Sequence, residues 1–211
     1  MTLKRIIFAM VAVFLSFTHA MAEEIKTKLD PENTLYLDLK QGRVVIELFP
    51  EIAPKHVAHI KELIREGFYD GLTFHRVIPG FMAQGGDPLG NGTGGSDKPD
   101  LPAEFSDIPH ERGILSMARG GHSINSANSQ FFIVLEDSEF LDGKYTVWGR
   151  VVEGMNYVDR IKKGTESNNG AIKGTPDKIV KIQVAADADA ADDEGDAKPK
   201  AKTKTKAKPK K

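Results

Sequence analysis

Residues 74 to 87 read "FHRVIPGFMAQGGD", an apolar and glycine-rich stretch whose one strongly basic side chain, Arg76, stands just ahead of a Pro79-Gly80 turn. A guanidinium keeps its charge at any physiological pH and presents a rigid fork of donors. Its hydrogen bonds are worth most away from bulk water. Arg76 therefore reads as a fixed cationic donor for non-covalent electrostatic work, with a surface ion pair as the plain alternative. Other chemistries find few actors. His56 and His59 are spaced i,i+3 and could share a metal, but no third ligand lies near in sequence, and they read as surface histidines. The run "GNGTGG" (90 to 95) lacks a following Lys-Ser/Thr or helix, which makes it a loop rather than a phosphate cradle. There is no GxSxG motif and no cysteine, so covalent catalysis has no visible nucleophile.

The elements that must position Arg76 are mostly short strands. "TLYLDLKQGRVVIELF" alternates Leu35, Leu37 and Leu39 on one side, turns at Gln41-Gly42 and resumes with Val44 and Ile46, as an antiparallel hairpin does. "APKHVAHIKELIREG" places Val57, Ile60 and Ile64 at helical spacing, with Pro54 in its first turn and Gly67 at its end. Further strands are expected at Gly113 to Ala118, Phe131 to Leu135, Tyr145 to Val151 and Ile179 to Val184. Met155, Val158 and Ile161 form a second helical stripe before Gly164. So many strands with two helices predict a mainly β domain, a closed or nearly closed antiparallel barrel, because closure removes exposed edges.

The whole chain has 211 residues, 40% hydrophobic and 28% charged, which suits one domain with a real core plus some extras. A formal charge of −1 gives no general polyanion or membrane-surface signal. Residues 1–22 read as a secretory signal peptide: Lys4 and Arg5, the apolar run from Ile6 to Phe17, then Ala20-Met21-Ala22. That run is too short to span a bilayer comfortably. With no cysteine, a lipoprotein anchor is excluded and cysteine usage says nothing of the compartment. Cleavage after Ala22 removes two of 29 basic residues and none of 30 acidic ones, leaving −3. Residues 23–33 would form an N-terminal extension.

At the other end, "AADADAADDEGDA" gives way to "KPKAKTKTKAKPKK", with no large apolar residue in either, so residues 185–211 predict a disordered tail. Its six acids and eight lysines could collapse on each other, meet an anionic surface, or stay solvated. Without the tail, the mature domain carries −5.

Five separated blocks, "FHRVIPGFMAQGGD", "NGTGG", "GILSMA", "NSQFFI" and "LDGKYTVWGRVVEGM", resemble in order and spacing the cyclophilins, across residues 34–184. The resemblance implies a closed eight-stranded antiparallel barrel capped by two helices, and peptidyl-prolyl cis-trans isomerase activity with no cofactor and no metal. Its partners would be proline-containing segments of unfolded or folding proteins. The leader makes the chain similar to the exported bacterial branch, hence periplasmic or secreted after cleavage near Ala22, assisting the folding of exported proteins as a monomer.

An X-Pro bond rotates slowly because its amide is conjugated, with a barrier of ~18–20 kcal/mol and times of ~10–100 s. A donor aimed at the prolyl nitrogen favours the twisted state, where the lone pair is localised and can accept. Raising turnover from about 0.01 to about 1000 per second needs ~7 kcal/mol. One charge-assisted bond supplies ~1.5–3 kcal/mol, so desolvation and grip on the flanking carbonyl must supply the rest. By the resemblance, Arg76 is the catalytic residue. Phe81, Met82, Phe132 and Leu141 match the apolar proline pocket, and Gln84 the amide that steadies the substrate backbone and the arginine. Ala118, Arg119 and Gln130 align with the groove for residues before proline, and Gly92 with its rim.

Three features depart from the family pattern. The segment "ARGGHSINSANSQFF" is longer than in the eukaryotic members. Phe140 stands where cyclosporin-sensitive members have tryptophan, and Tyr145 where they have histidine; both stay in the substrate groove, and weak cyclosporin binding is the consequence. A different class of function, a chaperone-like binding module for proline-containing segments, could do without Arg76 and Gln84, which are both present. A third reading makes the tail an electrostatic tether and the barrel its passenger.

Overall fold

The alternation seen in the first hairpin is realised in the computed structural model, which describes residues 29–188. Strand β1 (Thr34–Leu39) pairs with β2 (Gly42–Leu48) through the register Leu39↔Gly42, burying Leu35 and Leu37 together with Val44 and Ile46. Gly42 is required there by contact: a Cβ on it would meet the Tyr157 ring at 2.7 Å. Helix α1 (Pro54–Arg65) starts on its proline and sinks Val57, Ile60, Leu63 and Ile64 into the core. Ala53 supplies no side-chain cap. The Glu104 carboxylate, from a distant loop, accepts from the backbone N–H of Lys55 and of His56 instead, at 3.1 Å each.

The remaining strands are β3 (Arg76–Ile78), β4 (Met82–Gly85), β5 (Ile114–Met117), β6 (Phe131–Val134), β7 (Val147–Glu153) and β8 (Ile179–Val184). All eight form one antiparallel sheet in the order β3-β4-β6-β5-β7-β2-β1-β8. The expected closed barrel is corrected to an open half-barrel, because no ladder joins the edge strands β3 and β8. Loops satisfy those edges. Ile179 accepts from the Gly71 N–H and donates to the Leu72 carbonyl, both at 2.9 Å, while Val77 on β3 donates to Gly170 at 2.8 Å and accepts from Gly164 at 2.9 Å. With the backbone groups paired in this way, closure is not needed.

The second helix is also shorter than its stripe suggests. Helix α2 spans Met155–Val158, a single turn entered from Gly154 at φ 87°, and Ile161 is buried just beyond it. The pair β3 and β4 was not among the expected strands.

Strands β4, β5 and β6 and the first half of β7 are covered on both faces, and side-chain alternation sorts them into two apolar clusters. Ala83, Leu115, Phe131, Ile133 and Trp148 join the main core under α1. Met82, Ile114, Phe132, Val134 and Val147, with Leu141, form a smaller cluster on the opposite face, against which Phe81, Ala118 and Tyr145 pack. The described chain also continues past Val184: Ala185 is buried, residues 185–188 turn helically, and Asp187 pairs with Arg65 at 2.9 Å. The expected signal peptide, residues 23–28 of the extension and residues 189–211 of the tail lie outside the described residues.

Candidate active site

Cross-strand register assembles the site on the smaller cluster. Arg76 faces Gln84 across β3 and β4, Gln84 faces Phe132 across β4 and β6, and Phe132 faces Ser116 across β6 and β5. These residues make one row over four strands, all on the same face. Arg76 and Gln84, eight positions apart, meet because the Pro79-Gly80 turn folds β3 onto β4.

Arg76 is half-buried and held on three sides. Its Nη1 donates to Gln84 Oε1 at 3.0 Å and lies 3.9 Å from Met82 Sδ, while Nε and Nη2 donate to the carbonyl and the side-chain oxygen of Asn169, each at 3.0 Å. Asn169 is the one described non-glycine residue in the left-handed region, at φ 49°, which turns both of its oxygens to the guanidinium. Burial lowers the Arg76 pKa from its ordinary value, partly offset by the Tyr145 oxygen. The group keeps its charge nonetheless. From Gln84 the amides run on: its Nε2 donates to Gln130 Oε1 at 2.9 Å, and Gln130 Nε2 donates to the Gly94 carbonyl at 2.8 Å.

Beside the guanidinium lies a cavity of about 120 Å³ lined by Arg76, Phe81, Met82, Gln84, Ala118, Arg119, Phe132, Leu141 and Tyr145. Nine of the twelve sequence-predicted residues thus meet in one place. Gly92 and Gln130 line an adjoining hollow of about 490 Å³, which shares Gln84, Ala118 and Arg119 with the first. Phe140 lines neither; its ring is 61% exposed and rests on Phe81 with centroids 5.2 Å apart. Arg119 lies over the Tyr145 ring at 4.9 Å and donates to the Lys144 carbonyl at 3.2 Å, and Tyr145 meets Phe132 edge-on at 5.6 Å.

Sequence reading missed the residues that hold these groups from behind. Asn169 is one, and its only signal is the Asn169-Gly170 turn dipeptide. Asp87 is another: buried, it accepts from the backbone N–H of Leu89 and Asn91 at 2.8 and 2.9 Å and from that of Gly92, shaping the glycine loop at the rim. Under the floor, buried His110 stacks on Phe132 and bridges Ser116 Oγ at 2.9 Å to Asp142 Oδ1 at 2.8 Å, which ties down the turn bearing Leu141. His56 and His59, expected on the surface, are instead buried, with His56 Nδ1 2.7 Å from the Glu104 carboxylate. They lie on the buried face of α1, His56 one turn before Ile60 and His59 one turn before Leu63.

An open antiparallel half-barrel with an arginine beside a small apolar pocket defines a cyclophilin-type site. The chain matches the cyclophilin type peptidyl-prolyl cis-trans isomerase family over residues 34–184. It is 57% identical over 177 residues to a probable peptidyl-prolyl cis-trans isomerase of Brucella suis, covering 79% of this chain and 89% of that one. Identity to peptidyl-prolyl cis-trans isomerase B of Bacillus subtilis is 44% over 144 residues, covering 67% and 99%. Among solved structures, a cyclophilin from Hirschia baltica superposes with a TM-score of 0.67 at 32% identity over 75% of this chain and 76% of that one. A Cryptosporidium parvum cyclophilin-type isomerase, determined in the presence of the dipeptide Ala-Pro, gives 0.64 at 29% over 72% and 98%. The chain belongs to the cyclophilin family and is a peptidyl-prolyl cis-trans isomerase.

Proposed function

We propose that this isomerase turns over X-Pro bonds of exported proteins during their folding, by a non-covalent mechanism in which Arg76 donates to the prolyl nitrogen. The carrying observation is the way Arg76 is held. Two nitrogens are fixed by Asn169 and one N–H of Nη1 by Gln84, so donors remain at the mouth of a pocket walled by Phe81, Met82, Phe132 and Leu141. A proline ring fills that pocket; the Cryptosporidium parvum relative was determined in the presence of a proline-containing dipeptide, Ala-Pro, which supports this reading. As the bond twists, its nitrogen lone pair is released from conjugation and accepts from the guanidinium, an interaction absent from both planar ground states. The Gln84 amide, steadied by Gln130, holds the neighbouring backbone, and the apolar walls exclude the water that would weaken the bond.

Export rests on Lys4, Arg5 and the apolar run behind them, which suit a periplasmic or secreted protein. The decisive experiment is cis-trans exchange in a short X-Pro peptide, followed by NMR with wild-type protein and with Arg76→Ala. Acceleration by the wild type that survives the substitution at equal thermal stability overturns the mechanism.

A further inference from the structure

The proline pocket has a charged neighbour that isomerisation does not use. The turn between β6 and β7, residues 136–145, carries Glu136, Asp137, Glu139 and Asp142 against a single cation, Lys144. Lys144 is turned onto the Phe140 carbonyl at 3.0 Å, and Asp142 is taken up by His110. Glu136, Asp137 and Glu139 are exposed, and none is in a salt bridge among the described residues. Arg112, whose charge reaches Glu136, is committed to Asp159 at 2.7 Å. The Glu136 carboxylate lies against Gly80, next to Phe81, and Glu139 adjoins Phe140, whose open ring rests on Phe81. One lip of the pocket is therefore aromatic and bears exposed carboxylates that no salt bridge among the described residues takes up. It suits a segment with lysine beside proline.

The chain carries such segments itself, at Lys198-Pro199-Lys200 and Lys208-Pro209-Lys210. Its described part ends at Ala188, anchored through Asp187 on Arg65. Pro209 is 21 residues farther on. At ~3.3–3.6 Å per residue that reach is about 70 Å, against a diameter of about 40 Å for a domain of this size. A flexible tether of this length has a root-mean-square span of ~25 Å, so at a separation near the domain's diameter its effective concentration is at most of order mM. We propose that the acidic, aromatic lip formed by Glu136, Glu139, Phe81 and Phe140 draws the chain's own Lys208-Pro209-Lys210 segment into the proline pocket, so that the tail is at once an internal substrate and a competitor of outside substrates. The inference rests on the pocket being the isomerisation site.

The test is exchange NMR at the Lys208-Pro209 bond in the full chain, compared with a synthetic peptide of residues 189–211. That peptide holds both charge blocks, so pairing between them is common to the two samples. A neutral Ala-Pro peptide added to the same tube reports on the active site. The expected result is exchange about tenfold or more faster in the chain than in the peptide, set against an uncatalysed time of ~10–100 s. It is independent of protein concentration and reduced severalfold by the double change Glu136→Gln and Glu139→Gln. Tail exchange at the peptide's rate while the Ala-Pro peptide is accelerated overturns the inference and leaves the isomerase site standing. Failure to accelerate either overturns both. Acceleration that grows with protein concentration puts the segment in a second copy's pocket and overturns the internal contact. Acceleration untouched by the double change removes the acidic lip from the explanation and overturns the proposal as stated.

Discussion

Arg76 is set apart from an ordinary strand arginine by having no carboxylate partner among the described residues: its hydrogen bonds go to the amide side chains of Gln84 and Asn169 and to a backbone carbonyl, so there its charge is oriented and not neutralised. Arg76→Ala should lower kcat by about a hundred- to a thousandfold, the range for losing a fixed transition-state donor, with peptide affinity and thermal stability little changed. Arg76→Lys should rescue poorly, since an ammonium lacks the planar fork and is more strongly hydrated. Asn169 is a positioning residue, and glycine keeps its left-handed backbone and carbonyl while removing Oδ1. Asn169→Gly should therefore cost about fivefold in kcat, one hydrogen bond of ~1 kcal/mol, at constant KM. Asn169→Asp keeps an acceptor but sets a carboxylate on the guanidinium, so it should leave Arg76 positioned yet neutralised and should not restore the rate. Unchanged kcat in Asn169→Gly would mean that the side-chain bond does not position the guanidinium. Phe140 lies outside the pocket as an exposed ring on Phe81. We expect cyclosporin to bind weakly and Phe140→Trp to tighten it about ten- to a hundredfold through the added ring area and N–H donor. Calorimetry on the two proteins reads this directly, and unchanged affinity would remove Phe140 from the explanation.

Among the elements, the long ones were legible and the short ones were not. The β1–β2 hairpin, α1 and β8 each present a full period of apolar residues, so patterning places them. Strands β5 and β6 lie covered on both faces, which gives near-continuous apolar runs, broken in β5 only by Ser116, and blurs only their ends. Strands β3 and β4 have three and four residues about a Pro-Gly turn, too few to show an alternation, yet they hold Arg76 and Gln84. Which residues gather at the pocket was thus largely legible through motif resemblance, Phe140 excepted, whereas their register and the loop 164–172 behind them required the fold. That loop acts as a strand's worth of backbone along β3, through Val77, Gly164, Gly170 and the His75 carbonyl with the Ile172 N–H. Gly170 has φ 74°, and a Cβ there would collide with Ile78 on β3. Gly170→Ala should destabilise the fold by ~1–3 kcal/mol and reduce kcat along with it, because Asn169 moves too. Thermal unfolding beside a peptide assay checks the pair of effects; normal activity in a destabilised variant would show that loop and guanidinium are uncoupled.

At the scale of the molecule, stability should fall on mild acidification, because three of its histidines are packed away from water. His56, His59 and His75 are at most 8% exposed, and burial lowers the pKa of each, with Glu104 opposing it at His56, the Asn128 carbonyl at His59 and Asp87 at His75. Among the described residues, Nε2 of His56 and of His59 has no hydrogen-bond partner, and the His75 ring has only the Thr73 backbone near it. Above the ordinary histidine value of about 6.5, folded and unfolded chains hold these rings neutral alike, and they contribute nothing to pH dependence. Below it the unfolded chain takes up protons that the folded one refuses, so stability drops with falling pH, by at most ~1.4 kcal/mol per histidine per unit. The carboxylates add a second loss at lower pH. Burial pushes Glu104 up, but its bonds to the His56 side chain and to the backbone N–H groups of His56 and Lys55 outweigh that and hold it low. Asp87 likewise is raised by burial and lowered further by the loop N–H groups it accepts. Both are stabilising above the usual carboxylate range and lose that contribution as they protonate. The midpoint of thermal unfolding should therefore decline from pH 7 toward pH 5.5 and then more steeply below pH 5. His59→Gln, which cannot protonate, should shallow the first decline and leave the second. A midpoint flat between pH 7 and pH 5.5 would mean that these rings take up protons in the folded state without cost, and the packing described around α1 and β3 would have to be looser than it is.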